Sequence, residues 1–182
     1  MYRFVADTFL KHKELNSNTQ KVITMEPLDH KEFYVSWEDM HRTTRQLAQM
    51  LIKTGKQYRG IVAVSRGGLV PAAILARELN IRLVDTICIS SYDNDKQRGL
   101  QIIKDVLDDA DDILIVDDLV DTGSTAKVIN EKFPNATFVT VYAKPQGKPL
   151  VDMYVTDINQ ETWIHLPWDL VMKYEDPLAG KE

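Results

Sequence analysis

Ile113-Leu114-Ile115-Val116-Asp117-Asp118-Leu119-Val120-Asp121-Thr122-Gly123-Ser124-Thr125 runs from an apolar, branched segment into two acids and then into a small, hydroxyl-rich turn. An apolar run without alternation is the pattern of a strand covered on both faces. It predicts a strand over 113–116, followed by a helix over 126–132. Residues Thr122, Gly123, Ser124 and Thr125 then lie where a strand gives way to a helix. Free backbone N–H groups point outward at such a place, and the helix dipole favours an anion. Gly123 allows close backbone approach, and the hydroxyls add donors, so the turn is a cradle for a monophosphate. It is neither a G-x-x-x-x-G-K-[ST] loop nor a G-x-G-x-x-G fingerprint. Ionised Asp117 and Asp118 accept hydrogen bonds only, which suits the neighbouring hydroxyls of a ribose. On spacing alone, a capping and solvent-facing role for both acids stays open.

Working outward, short apolar runs at 61–64, 83–90, 137–143 and 153–158 read as further strands. Helical spacing recurs in Met40, Leu47, Met50 and Leu51, with Ser36 as N-cap, Glu38 and Asp39 in the first turn and Gly55 as a stop. A second helix is expected over 70–79, with Pro71 in its first turn. The polar stretch 91–99 reads as a loop, and a short helix over 5–13 is an option. Strands alternating with helices predict an α/β fold with a mainly parallel, buried sheet. In such sheets ligands gather outside the carboxyl ends of the strands. Arg66-Gly67-Gly68, residues 117–125 and Lys144 all fall at such ends and predict one shared crevice. Residues 1–34 read as an extension, and 35–182 as one domain.

The chain has 182 residues, with 22 Lys plus Arg against 27 Asp plus Glu, for a formal charge of -5. That length supports a core without staples, and the acidic balance argues against a broadly basic nucleic-acid binder. Cys88 is the single cysteine, expected as a small buried hydrophobe, so neither an intrachain disulfide nor a Cys-based zinc site is available. No stretch has the length and apolarity of a membrane span, and the first residues lack a signal-peptide pattern. The cytosol is the expected location. Arg3, Lys11 and Lys13 favour a membrane surface only weakly, so any association with the inner membrane would be peripheral. Asp105, Asp108, Asp109, Asp111 and Asp112 read as solvated loop acids. The four histidines, His12, His30, His41 and His165, lack ligand spacing.

The run 113–125 resembles the phosphoribosyl-pyrophosphate (PRPP) signature of the type I phosphoribosyltransferases. Val64-Ser65-Arg66-Gly67-Gly68-Leu69-Val70-Pro71, Ile89-Ser90-Ser91-Tyr92-Asp93, Tyr142-Ala143-Lys144-Pro145, Trp163-Ile164 and Pro167-Trp168-Asp169 extend the resemblance to the bacterial xanthine-guanine branch of that family. It covers about residues 34–170.

The resemblance implies a mainly parallel central sheet flanked by helices with a small hood. It implies a purine-salvage glycosyltransferase that moves ribose 5-phosphate from PRPP to guanine or xanthine, and to hypoxanthine, releasing pyrophosphate and a nucleoside monophosphate. Under it, Arg66 and Gly67 bind pyrophosphate and Arg98 contacts PRPP. Asp117 and Asp118 hold the ribose hydroxyls, with Asp118 touching Mg²⁺. Leu119, Val120 and Asp121 continue the substrate wall, with Asp121 facing purine N7. Thr122, Gly123, Ser124 and Thr125 hold the 5′-phosphate. Lys144 donates to purine O6, Trp163 stacks on the base, and Ile164 offers its backbone to the 2-position. Asp117, Asp118 and Asp121 carry the chemistry. A homotetramer is the implied assembly. Two alternatives stand beside this reading: a hypoxanthine-guanine enzyme with little use for xanthine, and a regulator that keeps the fold and binds nucleic acid.

Overall fold

The computed structural model describes residues 32–94, 97–104, 112–171 and 173–174. The optional helix over 5–13, His12, His30, and the acids Asp105, Asp108, Asp109 and Asp111 lie outside the described residues. Within them, Asp112 pairs with Arg59, Nε to Oδ2 at 3.1 Å, in keeping with a solvated acid.

The chain forms β1 (Glu32–Tyr34), α1 (Trp37–Lys53), β2 (Gly60–Ser65), α2 (Leu69–Glu78), β3 (Leu83–Asn94), β4 (Gln97–Lys104), β5 (Ile113–Val120), α3 (Ser124–Lys132), β6 (Thr137–Ala143), a 3₁₀ turn (Lys148–Leu150), β7 (Thr156–Asp157), β8 (Trp163–His165), β9 (Leu170–Val171) and β10 (Lys173–Tyr174). The main sheet has the order β4-β3-β2-β5-β6-β7. All its neighbours are parallel except β3 and β4.

The apolar runs are explained by what covers them. In β2, Ile61 and Ala63 face α1 and α2, while Val62 and Val64 face α3. In β5, Leu114 and Val116 face the α1–α2 side, and Ile113 and Ile115 the α3 side. Successive side chains alternate faces, so a strand with helices on both sides is apolar throughout. Leu114 and Ile115 are fully buried, each stabilising the fold by about 1.5–3 kcal/mol.

Helix α1 begins with a capping box. Asp39 N donates to Ser36 Oγ at 3.0 Å, and Ser36 N donates to Asp39 Oδ2 at 3.4 Å. Met40, Thr43, Thr44, Leu47, Ala48 and Leu51 are buried at helical spacing, which gives α1 one core-facing stripe. The chain leaves α1 through Gly55 at φ 74°.

Three expectations are corrected. Within the stretch 91–99, expected as a loop, the described residues form an antiparallel pair: β3 runs on to Asn94, and Asp93 pairs with Arg98. The strand expected over 153–158 is reduced to Thr156–Asp157, with a bridge at Met153. Cys88 is half-buried rather than buried.

A second, two-stranded parallel sheet forms the hood, with Glu32 opposite Trp163, Phe33 opposite Ile164 and Tyr34 opposite His165. Its inner face, through Ile164, packs with Val35, Met40, Val141, Tyr142, Ile158 and Leu166. On the other face the Tyr34 and His165 rings stack at 4.3 Å.

Candidate active site

Strand β5 continues through Asp117 and Asp118 to Val120, four residues beyond the end expected from its apolar run. The pairing with β6, Asp117 to Thr140 and Leu119 to Tyr142, sustains it. Both acids therefore ride on the rigid end of a central strand rather than on a loop.

Beyond it the chain turns at Gly123, whose φ of 81° places it in the left-handed region. Glycine meets no steric penalty there. A Cβ at this position would lie 2.4 Å from Leu150 Cδ1, so the turn rests directly on the 3₁₀ segment, which Asn130 holds by donating to Leu150 O at 2.9 Å. The starts of α1 and α3 contrast. The first turn of α1 contains Glu38 and Asp39 and is closed by its capping box. The first turn of α3 has no acid and no side-chain cap. Uncapped N–H groups without a local negative charge suit an external anion. A cavity of about 130 Å³ opens here, lined by Asp117, Leu119, Val120, Asp121 and the turn Thr122, Gly123, Ser124, Thr125.

Across the strand tips, the Arg66-Gly67-Gly68 loop presses against β5. The Ser65–Arg66 peptide bond is cis. A Cβ on Gly67 would stand 2.3 Å from Asp118 Oδ2, so only glycine fits beside that carboxylate. Arg66 itself is exposed.

Asp117 and Asp118 are close enough to alter each other's ionisation. Burial, then the charge of Asp118, raises Asp117 well above the usual carboxylate range. Asp118 is pushed up to about 6, chiefly by burial; backbone and Asp117 hydrogen bonds oppose the shift, and the charge of Asp169 adds to it. Carboxylates raised by desolvation and mutual repulsion are short of positive charge. A hard divalent cation bound by oxygen, together with polyphosphate oxygens, fits that donor set. Among the described residues no cluster of three or more His, Cys, Asp and Glu side chains forms a metal site by itself.

Lys144 leaves the end of β6 with its side chain buried, and its Nζ lies 2.9 Å from Asp121 Oδ2. The second oxygen of Asp121 accepts from Gln160 Nε2 at 2.7 Å. On the hood, Trp163 is 62% exposed and Ile164 is buried. Arg98 is on β4 through its backbone pairing with Asp93. The structure thus brings Asp117, Asp121 and the 122–125 turn into one cavity, sets Asp118 against Gly67, and pairs Lys144 with Asp121.

Two polar groups were not anticipated from sequence. Asp169 follows Pro167 and Trp168 in a quoted segment, but nothing in its spacing links it to Asp118. Gln160 sits in a turn with no motif, and only the fold brings it to Asp121.

Comparison with known proteins follows this geometry. Residues 32–175 match the family described as phosphoribosyl transferase domain. The chain is 57% identical over 156 residues to a xanthine-guanine phosphoribosyltransferase of Idiomarina loihiensis, covering 84% of this chain and 96% of that one. It is 53% identical over 152 residues to the protein of the same name from Chromohalobacter salexigens, covering 84% and 93%. Among solved structures, a purine phosphoribosyltransferase from Pyrococcus horikoshii superposes with a TM-score of 0.69 at 28% identity, covering 80% and 99%.

Proposed function

From the premise that this chain belongs to the phosphoribosyltransferase family, we propose that it is a purine-salvage enzyme making nucleoside monophosphates from PRPP and guanine, xanthine or hypoxanthine. The observation that carries this is the cavity in which Asp117, Asp121 and the uncapped start of α3 converge. One wall suits sugar hydroxyls and the other suits a phosphate.

In the proposed mechanism, the turn of Thr122, Gly123, Ser124 and Thr125 binds the 5′-phosphate through backbone N–H groups and hydroxyls. Asp117 and Asp118 accept from the ribose 2′ and 3′ hydroxyls. Arg66 and the Gly67 backbone receive the pyrophosphate, and Arg98 is assigned a further PRPP contact. Asp118 would hold Mg²⁺, which when bound neutralises charge on the leaving pyrophosphate. The bond from the anomeric carbon to pyrophosphate breaks, and a base nitrogen takes its place on that carbon. The sugar gains positive charge in between, and the carboxylates beside it stabilise that charge by position alone. Asp121 accepts the N7 proton or its hydrogen bond, and Lys144 donates to O6. A lysine has no acceptor for the amino group of adenine, which favours 6-oxopurines. Trp163 stacks on the base, and the Ile164 backbone meets the 2-position.

The names of the 57% and 53% identical relatives favour xanthine and guanine over the hypoxanthine-guanine alternative. The net charge of -5 disfavours a nucleic-acid regulator. We assign residues 35–182 to the transferase domain together with Glu32–Tyr34, which pair with Trp163–His165 in the hood, and the remainder of 1–34 to an extension. A cytoplasmic homotetramer is the proposed state. Leu69, Leu83 and Val84 expose large apolar side chains for such contacts, and no described helix is long and apolar enough to cross a membrane.

The test is a PRPP-dependent assay with a panel of bases and a magnesium titration. Magnesium-dependent release of pyrophosphate with guanine and xanthine, and none with adenine, is the expected result. No turnover with any 6-oxopurine would remove the proposal.

A further inference from the structure

We infer that Gln160 is a positioning residue that fixes the Asp121 carboxylate for the purine, a role that rests on the reading of Asp121 given above. Gln160 lies between β7 and β8 and reaches two other segments at once. Its Oε1 accepts from Gln146 N at 3.1 Å, and its Nε2 donates to Asp121 Oδ1 at 2.7 Å. These partners fix the orientation of the amide. Gln146 N–H can only donate, so it must meet the carbonyl oxygen; the carboxylate accepts, so it must meet the amide nitrogen. A flipped amide would face donor with donor and acceptor with acceptor.

Both oxygens of Asp121 are therefore held, Oδ1 by Gln160 and Oδ2 by Lys144. The two holds differ. Lys144 is the group assigned to purine O6, so an arriving base competes with Asp121 for its ammonium. Gln160 is assigned no substrate atom. As Lys144 is drawn toward the base, Gln160 keeps the plane of the carboxylate where N7 will meet it. Catalytic groups lose effectiveness steeply when their geometry loosens, so an orienting contact of this kind acts on the rate with base rather than on PRPP binding. Gln160 also stands three positions before Trp163, which ties the edge-reading pair to the hood that carries the stacking ring.

Two substitutions separate this role from simple support of the 146 turn. Gln160→Glu keeps the length and the acceptor for Gln146 N–H but sets a carboxylate against Asp121. Gln160→Met keeps the volume and removes both contacts. If Gln160 positions Asp121, Gln160→Glu is the more damaging change. It lowers kcat/KM for guanine by about 30-fold or more and leaves KM for PRPP within about two-fold of wild type. Near-normal kcat/KM in Gln160→Glu overturns the inference. A double-mutant cycle gives the second readout. In an Asp121→Asn background, Gln160→Met is expected to cost less than about two-fold further, because its target is gone. Additive losses overturn the proposal while leaving the transferase reading intact. If the wild-type chain converts no 6-oxopurine, the transferase reading fails instead, and the same cycle is read in Tm. Non-additive Tm changes uphold the Gln160–Asp121 coupling, and additive ones reject it.

Discussion

Lys144 Nζ and Asp121 Oδ2 lie 2.9 Å apart, the lysine buried and the aspartate reaching into the cavity. The donor assigned to O6 and the acceptor assigned to N7 are thus bonded to each other. They present a positive and a negative group side by side, which matches the neighbouring O6 and N7 positions of a 6-oxopurine.

Removing either partner should therefore harm the base half-reaction more than PRPP binding. Asp121→Asn is expected to lower kcat by about 100-fold, as for loss of a group acting on a transferred proton. Lys144→Met should narrow the discrimination against adenine and destabilise the fold, because it leaves a carboxylate facing a pocket built for an ammonium. Steady-state kinetics with guanine and adenine, and a melting curve, check both. Near-normal turnover in Asp121→Asn removes that residue from the reaction.

The contact between Gly67 and Asp118 gives a second expectation. A methyl group at Gly67 would lie 2.3 Å from Asp118 Oδ2, so Gly67→Ala must displace either the loop or the acid. We expect KM for PRPP to rise by about ten-fold or more, with KM for guanine changed far less. A PRPP titration at saturating guanine is the measurement. An unaltered KM would place both residues outside the PRPP site.

Asp118 carries a pH signature. Its pKa in the fold, about 6, lies above its ordinary value of 3.8. Between these values the folded state binds more protons than the unfolded one, so stability falls as pH rises through the window and stays lower above it. Asp118→Asn should accordingly raise stability at pH 7 by about 1–3 kcal/mol while abolishing most activity. The gain should shrink as pH drops toward 4. Melting curves across this range decide it, and equal Tm values for both proteins at pH 7 count against the burial of this charge.

Gly123 meets two constraints at once, a φ of 81° and the close approach of Leu150. Gly123→Ala is expected to cost about 1–3 kcal/mol, from the left-handed backbone and the steric overlap together. Gly123→Ala with Leu150→Ala should relieve the overlap but not the backbone cost. Denaturant titrations of the single and double variants separate the two. Nucleoside monophosphate binding should weaken in both, since the anion cradle is the distorted element.

What the sequence made legible follows from which forces act locally. Strands β2, β5 and β6 are covered on both faces, so the runs 61–64, 113–116 and 138–143 are apolar but for Thr140 and read plainly. The cap at Ser36 is a local contact, and it is found where the side chains place it. The β3–β4 pairing beyond Ser90 was hidden because backbone pairing needs no apolar pattern, and residues 91–99 are polar apart from Tyr92 and Gly99. Strand β5 outran its apolar segment for the same reason: the ladder to Thr140 and Tyr142 carries Asp117 and Leu119 along. Residue types at the site were readable in the 113–125 run, because a glycine, hydroxyls and acids at a strand end narrow the chemistry. Gln160 was not readable, because its meaning lies in a distance to Asp121 that no local pattern encodes.

The pairing of Glu32 with Trp163 and of Tyr34 with His165 has a consequence for how the enzyme comes into being. A ribosome releases the first hood strand long before the second, and the turn 122–125 proposed to hold the phosphate is synthesised while that first strand still lacks its mate. The wall proposed to meet the nucleobase thus needs early chain paired with late chain. Trimming the early end past Tyr34 would leave β8 with a bare edge in the wall that carries Trp163.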